Sequence, residues 1–150
     1  MAKPSIRHIL VLVDGTDASY RAADAAIDLA RDLGASLTAM AVVDTDTLRQ
    51  LLSARILVDA EMGEFESELE ESSRRQLAEV VERAAGRKVV AEQILLTGNT
   101  ETIVPREVRD REVDLIALGG FQSSKVARDL LARQRQQIVD RAPCPVMVVK

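Results

Sequence analysis

Five short apolar runs divide the chain, and a segment with helical periodicity separates each run from the next. The first run, His8–Asp14 (HILVLVD), has no polar residue in its interior, which is typical of a parallel strand covered on both faces. The other predicted strands are Ser36–Asp44, Lys88–Gly98, Asp114–Gly120 and Cys144–Lys150. Right-handed crossovers between such strands produce an α/β fold, a doubly wound five-stranded parallel sheet with helices on both faces. Because no linker interrupts the alternation, we predict a single domain over residues 1–150.

The segment after the first strand carries the clearest helix signals. Thr16 can serve as the N-cap, Asp17 suits the positive end of the helix, and Gly34 can end it. The residues expected on its buried face are Ala22, Ala26, Leu29, Ala30 and Leu33. Most of these residues are small, so we expect this helix to lie close to the sheet.

The later helices are less uniform in pattern. A short helix is expected around Leu48–Leu52, and a long one from Asp59 to Ala85. A further helix precedes the fourth strand, with Thr100 or Thr102 as its N-cap. Pro105 is expected to distort the start of that helix, because proline lacks the N–H that a helix interior requires.

Composition excludes several classes of function. The net charge of −4 argues against nucleic acid as a partner, because binding to phosphates needs a basic face. No run of apolar residues is long enough for a membrane span, and the single cysteine, Cys144, excludes internal disulfides. We therefore expect a cytoplasmic protein with no membrane association. His8 has no neighbouring metal-ligating residue type, which favours a structural histidine and no metal site.

Polar residues and glycines collect where the predicted strands end. The first strand ends in Asp14-Gly15, the second in Asp44, and the fourth in Gly119-Gly120. In sheets of this kind, ligands bind beyond the carboxyl ends of the strands. Asp14 can accept a hydrogen bond from an adenine amino group or a ribose hydroxyl. It can equally cap the turn that follows it.

No catalytic constellation is present in the sequence. A Gly-x-Ser-x-Gly turn and a Walker loop are both missing, and no histidine accompanies a serine as a base. A phospho-receiver domain would need an aspartate after the third strand, where this chain has LLTGN. Cys144 stands between two prolines and is expected to be a buried, unreactive thiol. We predict that the protein is not an enzyme.

Three segments together resemble the universal stress protein family: Asp14-Gly15-Thr16 with its Ala-rich helix, the run DLIALGG, and the run RAPCPVMVVK. The resemblance covers essentially the whole chain, with its elements in the same order. It implies a Rossmann-like sheet with strand order 3-2-1-4-5, assembly as a homodimer, and a role in survival under stress. Asp14 and Val42 correspond to the positions that contact adenine in that family.

Members of that family that bind ATP carry a glycine, two residues, a second glycine, nine residues, and then glycine with Ser or Thr. With Gly119 first, the remaining positions fall on Gln122, Ala132 and Arg133. The Gln122 side chain narrows the space that a glycine leaves for phosphate, whereas Arg133 can attract an anion. The chain resembles the branch that does not hold ATP, so we expect no cofactor. ATP or AMP bound at Asp14, Val42, Gly119, Gly120 and Arg133 is the alternative.

The last predicted strand lies at one edge of the sheet in the family's strand order. Val146–Val149 (VMVV) contains neither a charge nor a proline, so nothing in it prevents pairing with another chain. We predict a homodimer joined through this strand; other protein partners are unknown.

Two functions follow from the sequence: a non-enzymatic stress-response protein, or an adenine-nucleotide sensor or slow ATPase that uses the strand tips.

Overall fold

The computed structural model describes residues 5–53, 59–120 and 125–150, and its elements alternate as the sequence predicts. The strands are β1 (His8–Leu12), β2 (Ser36–Asp44), β3 (Ala91–Gly98), β4 (Leu115–Gly119) and β5 (Val146–Val149). The helices are α1 (Asp17–Leu33), α2 (Thr45–Ser53), α3 (Asp59–Gly86), α4 (Thr100–Asp110) and α5 (Lys125–Arg141). The short helix expected around Leu48–Leu52 is α2, which begins directly after β2.

The five strands form one parallel sheet with the order β3-β2-β1-β4-β5. This order confirms the predicted doubly wound topology. β1 is central, and Leu10 lies opposite Thr38 on one side and Ile116 on the other. The strand order reverses between β1 and β4, because β2 and β3 lie on one side of β1 and β4 and β5 on the other. Sheets of this class have their crevice at this position.

A hydrophobic core lies on each face of the sheet. On one face, α1 and α3 bury small and branched side chains that include Ala22, Ala26 and Val80. On the other face, Val104 and Val108 of α4 pack with Ile138 of α5. No helix within the described ranges is both long enough and apolar enough to cross a membrane.

The helix ends agree with the sequence at α1 and differ at α4. Thr16 is the N-cap of α1 and Gly34 closes it in the left-handed conformation, as predicted. Leu33, however, is exposed, because the buried face of α1 turns toward Ala23 and Ile27 instead.

At α4 the N-cap is Asn99, so the prediction of Thr100 or Thr102 is wrong. The Asn99 side-chain oxygen accepts from the Thr102 backbone N–H at 3.0 Å and from its hydroxyl at 3.2 Å. Thr100 is already inside the helix and is buried. Pro105 is buried within α4, which is continuous through it.

His8 has the structural role expected of it. Its Nδ1 lies 2.9 Å from the carbonyl oxygen of Arg111, and its Nε2 lies 2.7 Å from the Thr38 hydroxyl. A carbonyl oxygen only accepts, so Nδ1 donates to it, and Nε2 shares a hydrogen bond with the Thr38 hydroxyl, which can donate or accept. His8 thereby ties β1 to β2 and to the end of α4.

Gly119 permits the closest approach between α1 and the sheet. A Cβ atom on Gly119 would lie 2.6 Å from the Ala18 carbonyl carbon and from the Ser19 backbone nitrogen. Because both atoms belong to the backbone of α1, no side-chain rotation can relieve such a contact. The glycine at the tip of β4 is therefore required for packing, whatever else it does.

We expect Gly119→Ala to destabilise the fold by about 1–3 kcal/mol, since the added methyl group overpacks against backbone. Gly120→Ala is the matched control: its Cβ would lie 3.4 Å from the nearest atom, Lys150 Cα, which is ordinary contact. Urea unfolding of both variants measures the difference. Equal free energies of unfolding would contradict this account of Gly119.

Candidate functional site

Three strand tips meet at the carboxyl edge of the sheet, and α5 reaches two of them. Asp14 follows β1, Asp44 ends β2, and Gly119 ends β4, which is adjacent to β1. From α5, Gln134 donates to Asp44 and Arg135 donates to Asp14. The group formed by Asp14, Asp44, Gln134 and Arg135 is called the strand-tip cluster below.

One oxygen of Asp14 organises the turn between β1 and α1. Its Oδ1 accepts from the Thr16 backbone N–H at 3.0 Å and from the Thr16 hydroxyl at 2.6 Å. The Thr16 hydroxyl oxygen in turn accepts from the Ser19 N–H at 3.1 Å, which caps α1. The turn-capping interpretation of Asp14 is therefore confirmed.

The second oxygen of Asp14 is engaged by an arginine. Arg135 Nη2 lies 2.6 Å from Asp14 Oδ2, and the Arg135 side chain is only 7% exposed, against 39% for Asp14. A charge withdrawn from water this far requires an opposite charge, and Asp14 supplies it. Yet Nη1 of the same guanidinium is buried without a hydrogen-bond partner among the described residues.

Arg135 was missed by the sequence analysis, although its spacing carried a signal. It precedes Ile138 by three residues, so the two share one face of α5, and Ile138 is buried in the core. An arginine at an apolar position of a helix is expected to have a buried partner. The family motif points instead to Arg133, which falls on one of its positions.

A second contact fixes α5 to the tip of β2. Asp44 Oδ2 accepts from the Gln134 side-chain nitrogen at 2.9 Å and from the backbone N–H of Thr100 at 2.8 Å. The Thr100 N–H belongs to the first turn of α4, so it has no acceptor within the helix, and a carboxylate is favoured at this positive end. Beside it, the Asn99 amide donates to Asp46. The tip of β2 is thus joined to both α4 and α5.

The remaining residues predicted for the site are dispersed around this cluster. Val42 is half-buried in β2 and packs against the core beneath α4 and α5. Gly120 is buried, and its N–H donates to the Val149 carbonyl oxygen at 2.8 Å. Arg133 is exposed on α5. Gln122 lies outside the described residues, as does the side chain of Ala132.

Cys144 is half-buried and unpaired, and it packs against the core beneath α4 and α5. Burial raises the pKa of its thiol, and the negative charge of Asp114 acts in the same direction. A backbone hydrogen bond from Ile116 opposes these effects. The direction of the pKa shift agrees with the unreactive thiol expected from the sequence, whereas the side chain is half-buried and not fully buried as expected. No group of three metal-ligating side chains occurs in the described parts of the chain.

Comparison with known proteins identifies one family throughout. The family model described as "Universal stress protein family" matches residues 5–150. The universal stress protein YxiE of Bacillus subtilis is 27% identical over 147 residues, covering 95% of this chain and 97% of that protein. A putative universal stress protein of Staphylococcus haemolyticus is 30% identical over 145 residues, covering 96% and 84%.

Solved structures show the same fold. The universal stress protein UspA from Lactobacillus plantarum has 26% identity and a TM-score of 0.66, covering 96% of this chain and 97% of that one. A universal stress protein from Archaeoglobus fulgidus, solved in complex with dAMP, has 14% identity and a TM-score of 0.64, with coverages of 97% and 98%. A family protein from Arabidopsis thaliana with AMP bound has 17% identity and a TM-score of 0.63, with coverages of 96% and 91%.

We expect the native Cys144 thiol to react with a thiol reagent more slowly than free cysteine at neutral pH, because its raised pKa lowers the thiolate fraction. Its rate should also rise at a more alkaline pH than that of the same protein in denaturant. Stopped-flow labelling over a pH series measures both. A native rate near that of free cysteine would contradict the raised pKa and the half-buried placement of the thiol.

Proposed function

This chain belongs to the universal stress protein family and is a stress-response protein; from that premise we propose that it acts without catalysis, as a homodimer, and without tight binding of ATP. The observation that carries the proposal is the contact between Asp14 and Arg135. Asp14 stands where the family resemblance places an adenine contact, and a buried guanidinium of the same chain already engages it.

Two further observations support weak binding of ATP. Only one of the three motif glycines is present, and Arg133 replaces the Ser or Thr that accompanies the last of them. Gly119, the glycine that remains, is needed for the approach of α1 whether or not a ligand binds. Its retention is therefore no sign of a phosphate loop.

A second candidate function is that of an adenine-nucleotide sensor at the strand tips. It is favoured by the dAMP and AMP complexes of proteins with the same fold. In this candidate Asp14 and Val42 would contact adenine or ribose, and Gly119 and Gly120 would face the phosphates. Arg133, exposed on α5, would supply the positive charge.

Isothermal titration calorimetry separates the two functions. Protein freed of nucleotide by denaturation and refolding is titrated with ATP and, separately, with AMP. We expect no dissociation constant below about 100 μM for ATP, since two of the three glycines that let backbone N–H groups approach the phosphates are missing from the sequence. Low-micromolar affinity for ATP would overturn the proposal and establish the sensor.

The proposed dimer is joined through β5. This strand is at one edge of the sheet, and Val148 is 46% exposed on it. The opposite edge, β3, carries Glu92 in an ion pair with Arg111, and a charge of this kind discourages strand pairing. β5 has no such charge, so two copies related by a two-fold axis can pair there and bury the valine.

A lysine or a proline at Val148 should dissociate the dimer, through charge repulsion or through loss of a ladder N–H. Val90→Lys is the matched control, because Val90 is 91% exposed and lies next to the opposite edge strand. Multi-angle light scattering at micromolar concentration measures the mass. A wild-type mass near 16.4 kDa would contradict the dimer. Folded Val148 variants that remain dimeric would place the interface elsewhere.

The single free cysteine agrees with a reducing compartment, and we propose a cytoplasmic location on that ground.

A further inference from the structure

Two consecutive residues of α5 meet the carboxylates of two different strand tips, at the crevice where this sheet would receive a ligand. We propose that Arg135, held by Asp14, occupies that crevice as a substitute for a ligand, and that this residue excludes adenosine from it. The inference rests on the proposed function, in which wild-type protein does not hold ATP tightly. It goes further, because it assigns the exclusion to one side chain outside the glycine motif.

Asp14 has little hydrogen-bonding capacity left for a ligand. A carboxylate has about four acceptor sites, and Asp14 already accepts from the Thr16 N–H, the Thr16 hydroxyl and Arg135. The Thr16 contacts are local to the turn and cap α1, so they persist in any folded state. Oδ2 is the oxygen on which an external donor would have to compete, and Arg135 binds it with a charge-assisted hydrogen bond.

The burial of Arg135 opposes its displacement by a ligand. With 7% of its side chain exposed, the guanidinium cannot leave Asp14 and remain where it is, because it would become an unpaired buried charge. A nucleoside that binds Asp14 must therefore drive the whole side chain out of the crevice. The hydroxyl and amino groups of an uncharged nucleoside donate weaker hydrogen bonds to Asp14 than the charged guanidinium does, so they do not compensate for that loss.

As a purely structural ion pair, the contact between Arg135 and Asp14 is incomplete. Arg135 is joined to Asp14 through Nη2 alone, and the buried Nη1 has no partner among the described residues. A buried guanidinium usually has its donors satisfied, since each unpaired buried donor is unfavourable. An unpaired donor of this kind on Arg135, at the crevice where a ligand would bind, indicates that the residue has a role other than stabilising the fold.

Gln134 acts as a positioning residue for this arrangement. Its side-chain nitrogen donates to Asp44 at 2.9 Å, and Asp44 also accepts from the N–H of Thr100. The helix is thereby anchored to the tip of β2 immediately before Arg135. This anchor sets the depth at which the neighbouring guanidinium reaches Asp14.

The opposite role for Arg135, that of a receptor for a ligand phosphate, makes the opposite prediction. Removing a receptor arginine weakens the binding of an anion, and it leaves an uncharged nucleoside unaffected. Removing an occluding arginine strengthens the binding of both. The sign of the change therefore distinguishes the two roles.

The experiment titrates adenosine and AMP into wild-type protein, Arg135→Ala and Arg135→Met by calorimetry. Both variants should bind adenosine at least about tenfold more tightly than wild type, the usual contribution of one hydrogen bond to a charged group. Arg135→Ala should give the larger gain in adenosine affinity, because it also frees the volume that the arginine side chain occupies. Methionine retains apolar bulk in the space of the buried side chain, and water can reach Asp14, which is 39% exposed, so this variant keeps the fold if alanine does not.

Arg141→Ala is the matched control, since Arg141 is an exposed arginine at the end of the same helix. It should leave adenosine affinity unchanged. A folded Arg135 variant with wild-type affinity for adenosine, or with weakened binding of AMP, overturns the inference. Low-micromolar binding of ATP by wild-type protein would instead overturn the proposed function, so the two failures are distinguishable.

Discussion

A guanidinium buried beside a parallel sheet needs a carboxylate, and the arrangement of the strand tips depends on how that need is met. Asp14 serves two elements at once: one oxygen caps the turn into α1, and the other pairs with Arg135 of α5. These two helices contribute to the cores on opposite faces of the sheet. A single carboxylate therefore connects both layers at the end of the central strand.

The packing around this carboxylate leaves little freedom. The backbone of α1 approaches β4 so closely at Gly119 that only a glycine fits, which brings the start of α1 to the crevice. On the other side, Asp44 joins α5 to the start of α4. The crevice at the strand tips is thus bounded by contacts that the chain makes with itself.

Much of the fold was predictable from sequence, because continuous apolar runs and helix caps are local signals. The bounds of β2 and the caps of α1 were predicted correctly. The exposure of Leu33 was not, since it depends on which face α1 turns to its neighbours. The N-cap of α4 was also missed, because Asn99, Thr100 and Thr102 are all capping residue types and the sequence does not show at which of them the helix begins. The pairing of Asp14 with Arg135 spans 121 positions, and no local pattern specifies a contact at that separation.

The central claim is that Arg135 is buried and bound to Asp14 in solution, and arginine side-chain NMR tests it most directly. Spectra of ¹⁵N-labelled protein should contain one guanidinium whose Nη protons exchange slowly with water. Its signal should vanish in Arg135→Met, which assigns it, and should broaden into rapid exchange in Asp14→Asn. If every guanidinium in wild-type protein exchanges rapidly, Arg135 does not fill the crevice and the account is wrong.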